Sequence, residues 1–297
     1  MTSLDRLPLP LTRRRFVGAS LGAAFTAGLG SFDQVSGQGS STYTFLVLGL
    51  DTREENADQR SDIIMVSRVD LDANTVRTLS IPRDLYVEIP GVGFDKINAA
   101  YQRGLAESPD LDWREGAALT AETIAHNFGV TIDFTALTGM NRFPAIIDAV
   151  GGVVVNNPYD VSTGGDGVTF PAGEIELSGD QAIVFTRIRE QDGDGGRVMR
   201  QHLVLEALLA RIQDPAFRSR LPGLIASLGG AVRTDVGFEV QVRLMAVLPG
   251  LSPEDLAFVN IDDQLWPDYT DDGAWIYRGD WDTLPGYVQS WLEGTID

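Results

Sequence analysis

The chain of 297 residues has no cysteine, one lysine (Lys96) and only two histidines. Without cysteine there are no disulfides, no thiolate catalysis and no zinc–sulfur sites, and the redox compartment stays open. With 42 acidic against 23 basic residues, the formal charge of −19 counts against nonspecific binding to nucleic acid or to a bare anionic lipid surface. No Gly-x-x-x-x-Gly-Lys-Ser/Thr occurs, which excludes a P-loop nucleotidase, and no His-Glu-x-x-His offers a zinc site. Gly18-Ala-Ser-Leu-Gly22 fits Gly-x-Ser-x-Gly, but the stretch around it has no strand–elbow–helix pattern. His126 and His202 fall on predicted helices with no metal-binding or catalytic partner at a suitable spacing, so both are read as packing or surface residues.

What is present divides at about residue 40. Thr12-Arg13-Arg14-Arg15-Phe16-Val17 resembles a twin-arginine export signal and runs into the small, mildly apolar stretch Gly18 to Gly30. Four glycines make that stretch too weak for a confident span, which needs about 20 apolar residues. Residues 1–40 are therefore expected to be an export signal and linker, either cleaved or kept as a weak anchor. Residues 41–297 are expected to be one α/β domain, with a core over 44–212 and a helical continuation over 213–297; a break near Pro215 is the alternative. Thr44-Phe-Leu-Val-Leu-Gly-Leu50 reads as a strand buried on both faces that ends at Asp51. Ile63–Val69 and Thr75–Ile81 read as the next strands, with short ones at Val153–Val155 and Ala257–Ile261. Helices are predicted over Trp113–Asn127, Phe134–Ala149, Gly179–Phe185, Arg197–Ile212, Phe217–Leu228 and Phe238–Leu248, with Asp262 to Trp281 as a surface extension.

The basic residues concentrate in short patches that also carry aspartate: Asp51-Thr-Arg53, Arg60-Ser-Asp62, Ser80-Ile-Pro-Arg83-Asp84, Lys96-Ile-Asn98, and Arg187-Ile-Arg189 through Arg200-Gln201. Guanidinium groups meet phosphate oxygens with paired charge-assisted hydrogen bonds, and carboxylates hold magnesium, so the patches point to phosphoryl chemistry. Pro82 should end a strand and present Arg83 at the sheet edge. Arg187 and Arg189, two apart, face one way only if their segment is extended. Gln201 lies one helical turn beyond Arg197 and shares its face.

Taken in order, these patches resemble the LytR-CpsA-Psr (LCP) family of bacterial cell-wall proteins. The match runs through Leu48-Gly-Leu-Asp51-Thr-Arg53, Arg60-Ser-Asp62, Ser80–Asp84, Lys96-Ile-Asn-Ala-Ala-Tyr101, Asp148–Val153, Gly179–Ala182, Arg187–Arg189 and Asp194-Gly-Gly-Arg197 with Arg200-Gln201; Thr234-Asp235 continues it. The resemblance implies a single α/β/α three-layer sandwich with a central mixed sheet. It implies an enzyme that moves a glycopolymer from a polyprenyl-pyrophosphate carrier to peptidoglycan at the outer membrane surface, with no nucleic-acid partner. In that reading Arg60, Arg83, Lys96, Arg187, Arg189, Arg197, Arg200 and Gln201 bind the pyrophosphate, and Asp51 and Asp62 hold Mg²⁺, with Mn²⁺ as a substitute. Arg83, Asp84 and Asp194 are the catalytic candidates, either aspartate being a possible base or an orienting partner of an arginine. A lipid-pyrophosphate hydrolase and a noncatalytic wall-polymer or lipid-binding module stand as alternatives. Two departures are the twin-arginine signal in place of the family's usual anchoring helix, and Gly104-Leu105 where the family commonly has a second glycine, in a segment expected to be a loop. The long apolar groove that a polyprenyl chain needs is expected among helices 115–128, 134–149 and 201–212.

Overall fold

The computed structural model describes residues 41–51, 59–139, 141–165, 167–214, 217, 231–247, 250–251 and 255–296. The expected export signal in residues 1–40, and the helix expected over 217–228 apart from Phe217, lie outside the described residues.

Three apolar runs build the centre of the fold. β1 (Thr42–Leu50), β2 (Ser61–Asp70) and β3 (Thr75–Ser80) pair antiparallel in chain order. β6 (Phe134–Gly139) joins β1 in parallel and takes β11 (Val232–Thr234) antiparallel on its outer side, while β12 (Leu256–Asn260) pairs parallel with β3. The product is a six-stranded mixed sheet in the order β11-β6-β1-β2-β3-β12. Alternate residues of a strand face opposite sides, so Leu46, Leu48, Leu50, Ile64 and Val66 enter one core, while Val47, Gly49, Ile63 and Met65 face the other side.

Against the first face pack α1 (Ala99–Glu107), α2 (Trp113–Phe128) and α7 (Leu284–Leu292), which contribute Tyr101, Ile124, Phe128, Val288 and Trp291 to that core. The segment of Gly104 is thus helix rather than loop, and its glycine has a packing role: a Cβ there would lie 2.4 Å from the carbonyl oxygen of Glu115 on α2. The second face is covered by α3 (Phe143–Ala149), α4 (Gly179–Phe185) and α5 (Gly193–Gln213). These helices share their own apolar cluster with the β7 (Val153–Asn157) and β10 (Gly173–Leu177) ribbon and with the small pair β8 (Val161–Ser162) and β9 (Thr169–Phe170). The three-layer α/β/α arrangement read from the sequence is the one observed.

Residues 134–149, expected as one helix, divide into β6 and α3. Burial alternates with period two along Phe134–Gly139, as a strand requires, and Pro144 opens a separate helix at a position where its missing N–H is harmless. Among the described residues beyond 212, strands occur as well as helices. Besides α6 (Phe238–Val247) and α7 this continuation supplies both outer strands of the sheet, β11 and β12. The extension at 262–281 is a hairpin of β13 (Leu265–Tyr269) and β14 (Trp275–Gly279), preceded by a 3-10 turn over Ile261–Gln264. Among the described residues no helix is long and apolar enough to cross a membrane.

Candidate functional site

Three strand ends meet at one edge of the sheet. β1 leaves the core at Asp51, whose N–H donates to the Arg60 carbonyl at 2.9 Å. β2 begins beside it with a bulge: Gly49 pairs Ile63 and Leu50 pairs Ser61, so Asp62 is the extra residue with no partner in the ladder. A bulge bends a strand and re-aims the side chain it expels, and Asp62 lines the cavity at this edge. β3 stops before Pro82, and the turn that follows closes through the Leu85 N–H to the Pro82 carbonyl. The hairpin of β4 (Tyr86–Ile89) and β5 (Gly93–Lys96) then returns, with Ile97 and Asn98 donating to the carbonyls of Leu85 and Arg83. Backbone pairing alone thus brings four of the sequence patches together around a cavity of about 300 Å³, lined by Asp51, Arg60, Asp62, Arg83, Asp84, Lys96 and Asn98.

The charged side chains form one network. Arg83 donates from one guanidinium nitrogen to Asp62 Oδ1 at 2.7 Å and from Nε to Asp84 Oδ2 at 3.3 Å, and Lys96 Nζ donates to Asp84 Oδ1 at 2.7 Å. The four side chains are between 18% and 27% exposed, so they are screened less than a surface pair yet remain open to a ligand. Burial lowers the pKa of Arg83, but the carboxylates of Asp62 and Asp84 outweigh it and leave the group raised, hence firmly cationic. Arg60 lies at the rim, its Nε donating to Gln102 at 3.2 Å.

Two polar residues inside the sequence patches, to which the sequence reading gave no role, are buried beside the charged side chains. Asn98 is 4% exposed and lines the cavity; Ser61, between Arg60 and Asp62, is 0% exposed. Neither Asn98 Oδ1 nor Ser61 Oγ has a hydrogen-bond partner among the described residues, and buried polar atoms normally find one. The spacing held the signal for Asn98: Ile97 is fully buried, so its neighbours on either side, Lys96 and Asn98, both turn to the cavity.

The second group of arginines is not part of this lining. Arg187 and Arg189 flank the buried Ile188 after α4, but Arg187 sits in a turn, its N–H donating to the Val184 carbonyl at 3.0 Å, so the segment is not the extended one expected. Arg197 is 6% exposed on α5. Arg200 departs from expectation: it is fully buried and donates to the carbonyls of Phe185 and Ile188 and to both oxygens of Asp192. Its hydrogen bonds are spent on fastening the segment that carries Arg187 and Arg189, so it is a positioning residue and not a phosphate ligand. Arg200 and then Tyr159 hold the Asp192 carboxyl below its usual range against the opposing effect of burial. Gln201, also expected on the phosphates, lines an apolar cavity instead. The side chain of Asp194 lies outside the described residues; its backbone is in the first turn of α5. His126 pairs with Glu88 at the surface at 3.2 Å, and His202 stacks on Phe258 at 4.8 Å, the surface and packing roles read from sequence.

The apolar cavity, about 90 Å³, lies between the second face of the sheet and the helices that cover it. Val47, Gly49, Ile63 and Met65 form one wall, and Phe143, Thr186, Gln201 and Leu205 the other. Of the three helical stretches expected to wall a long groove, 201–212 contributes Gln201 and Leu205 to this small cavity and 134–149 contributes Thr138 and Phe143, whereas helix 115–128 packs on the opposite face. The apolar and charged cavities meet along the chain: Ile63 lines the first and Asp62 the second.

Among the described residues no cluster of three or more His, Cys, Asp or Glu could hold a metal by itself. Asp51 and Asp62 are nonetheless two carboxylates of one cavity. Such a pair fits Mg²⁺, which keeps several waters and takes further oxygens from substrate phosphates.

Residues 23–286 match the LytR_cpsA_psr family model. A protein of Oceanobacillus iheyensis named polyisoprenyl-teichoic acid–peptidoglycan teichoic acid transferase TagU is 37% identical over 207 residues, 69% of this chain and 62% of its own length. The TagU of Bacillus cereus is 41% identical over 200 residues, 66% of this chain and 61% of its own length. The chain therefore spans less than two thirds of these curated relatives. The crystal structure of B. subtilis TagV aligns with a TM-score of 0.70 at 25% identity, covering 86% of this chain and 99% of that one.

Proposed function

The chain belongs to the LytR_cpsA_psr family, and from that premise we propose that it is a phosphotransferase moving a glycopolymer from a polyprenyl-diphosphate carrier to peptidoglycan. A sugar hydroxyl of the acceptor attacks the phosphorus nearer the glycopolymer. A new P–O bond forms, the bridging P–O bond of the diphosphate breaks, polyprenyl phosphate leaves, and the hydroxyl proton passes to a base or to water. The observation that carries this reading is the adjacency of the two cavities. Asp62 lines a cationic, carboxylate-bearing pocket suited to a diphosphate, and the next residue of β2, Ile63, lines a small apolar pocket of about 90 Å³.

Arg83, Arg60 and Lys96 place fixed positive charge where the nonbridging oxygens gain negative charge, and because folding orients them, little reorganisation remains for the reaction. Both oxygens of Asp84 already accept from Arg83 and Lys96, so Asp84 orients those cations and is poorly placed to take a proton. That leaves Asp194 as the carboxylate candidate for the base. Arg187, Arg189 and Arg197 are the further candidates for the diphosphate, with Arg200 fastening the segment that carries Arg187 and Arg189. Asp51 and Asp62 would hold Mg²⁺, which when bound supplies further neutralisation of the phosphate oxygens. Gln201 lines the apolar cavity that would take the start of the isoprenoid. Export by the twin-arginine-like motif would bring the enzyme to the side of the membrane where wall polymers are joined.

The test is a radiolabel assay with the full chain, Mg²⁺, a short-chain polyprenyl-diphosphate oligosaccharide and peptidoglycan fragments, run beside Arg83→Ala and Asp51→Ala. Transfer of label to peptidoglycan by the wild type and its loss in both variants is the expected result. Label released only to water would make the chain a lipid-diphosphate hydrolase, and tight binding without turnover would make it a binding module.

A further inference from the structure

Lys96 also lines a second cavity, of about 380 Å³. Two hairpins build it. The β4–β5 hairpin supplies Tyr86, Phe94 and Asp95, and the turn of the β13–β14 hairpin supplies Thr270, Asp271 and Asp272. The two are fastened beside the charged network: Leu85 bridges Tyr277, the Tyr277 N–H donates to the carbonyl of Asp84 at 3.0 Å, and Arg278 lies over the Tyr86 ring at 5.2 Å while pairing with Asp268. The wall is therefore held rigidly relative to the charged site.

Its composition is that of neither a core nor an anion site. Phe94 is 62% exposed and stacks on Tyr86 with centroids 5.8 Å apart, a pairing that holds an apolar ring face in water. A large exposed aromatic fixed at the mouth of a cavity marks a ligand contact more often than a packing residue. Its negative π-face suits the weakly positive C–H face of a pyranose ring. Asp95, Asp271 and Asp272 outnumber Lys96, so an anionic polymer is repelled, while hydroxyl and amide N–H donors find acceptors. Sharing Lys96 with the diphosphate cavity places a bound sugar chain next to the reacting phosphorus.

We propose that this cavity is the acceptor subsite, binding an uncharged glycan strand of N-acetylated amino sugars on Phe94 and Tyr86 and directing a neighbouring hydroxyl to the diphosphate. The assignment rests on the transferase reading, and the step is the phosphoryl transfer already balanced above.

The probe is the N-acetylglucosamine tetramer, followed by saturation-transfer NMR with the full chain, its Phe94→Ala variant and its Arg83→Ala variant. Saturation should reach the pyranose C–H protons, Phe94→Ala should weaken the tetramer at least 10-fold, and Arg83→Ala should bind it as the wild type does. In steady state, Phe94→Ala should raise the KM for peptidoglycan fragments about 10-fold and leave the KM for the lipid donor unchanged. Failure of the tetramer to bind, equal binding to Phe94→Ala, or displacement of the tetramer by polyphosphate would overturn the subsite while leaving the transferase reading intact. Phe94-dependent binding of the tetramer by a protein that transfers no label would overturn the transferase reading and keep a glycan site.

Discussion

Arg83 holds Asp62 and Asp84 with two different nitrogens of one planar group, and that geometry is beyond lysine, whose ammonium is a single point charge on a flexible stem. Arg83→Lys is expected to fold normally and to lose about 10²-fold or more in kcat, because the donors no longer meet the developing charge together; steady-state transfer kinetics read this directly. Arg200 makes a different demand. Its removal leaves the Phe185 and Ile188 carbonyls without this donor and Asp192 with only the Tyr159 hydroxyl, so Arg200→Ala should cost about 3 kcal/mol in urea unfolding, the penalty for breaking a buried pair from one side. His202 supplies a pH dependence. Burial drops its pKa from 6.5 to about 4, so as pH falls through this window the unfolded chain takes up a proton that the folded chain refuses. Stability should fall by about 3 kcal/mol as pH drops from above 6.5 to about 4 and level off below it, and His202→Leu should flatten that part of the profile. Asp70 and Asp192, held below their ordinary 3.8, lose their contribution only at lower pH, outside this window.

At the scale of elements, the crossing of α1 and α2 reverses a general expectation. Replacing a helical glycine with alanine ordinarily stabilises by about 1 kcal/mol. At Gly104 the new Cβ would sit 2.4 Å from the Glu115 carbonyl and 2.9 Å from Leu119, and Gly116 makes the matching approach from α2 to Tyr101. Gly104→Ala should therefore destabilise by about 1–3 kcal/mol through overpacking, measurable as a lower thermal midpoint. The same crossing explains why the sequence favoured a loop there: a glycine is a turn signal until the partner helix that needs it is known. The misjudged segment 134–149 has a related cause, since Phe-Thr-Ala-Leu-Thr-Gly is short enough to suit either period, and its pairing with β1 settles the matter at long range.

Across the whole molecule, the sheet is closed at both ends by segments far along the chain, β11 beside β6 and β12 beside β3. Arg77 on β3 adds a clasp, donating to the carbonyls of Trp291 and Ile296 and lying over the Trp291 ring at 4.6 Å. A chain ending at residue 255 lacks β12 and α7, exposes Leu79 and Phe128, and should fail to fold, seen as lost proteolytic resistance and near-UV dichroism. The local part of this architecture was legible in advance. Unbroken apolar runs gave β1 to β3, the ends of these runs gave Asp51 and Arg83, and the ordered patches gave the charged cavity. What was not legible depends on the third dimension: that Arg200 is buried under its own loop, that Gln201 faces the apolar layer, and that the 262–281 segment is a hairpin docked at Asp84.

The bulge in β2 separates scaffold from chemistry. Because Asp62 stands outside the pairing pattern, excising it would join Ser61 directly to Ile63 and turn an irregular ladder into a regular one, with Ile64 and Val66 still facing inward against their present partners. A chain one codon shorter at this point would keep its architecture and lose a carboxylate from the charged cavity. Well-folded descendants that lack this carboxylate are therefore a single deletion away, and a missing residue between Ser61 and Ile63 is the mark by which to recognise them.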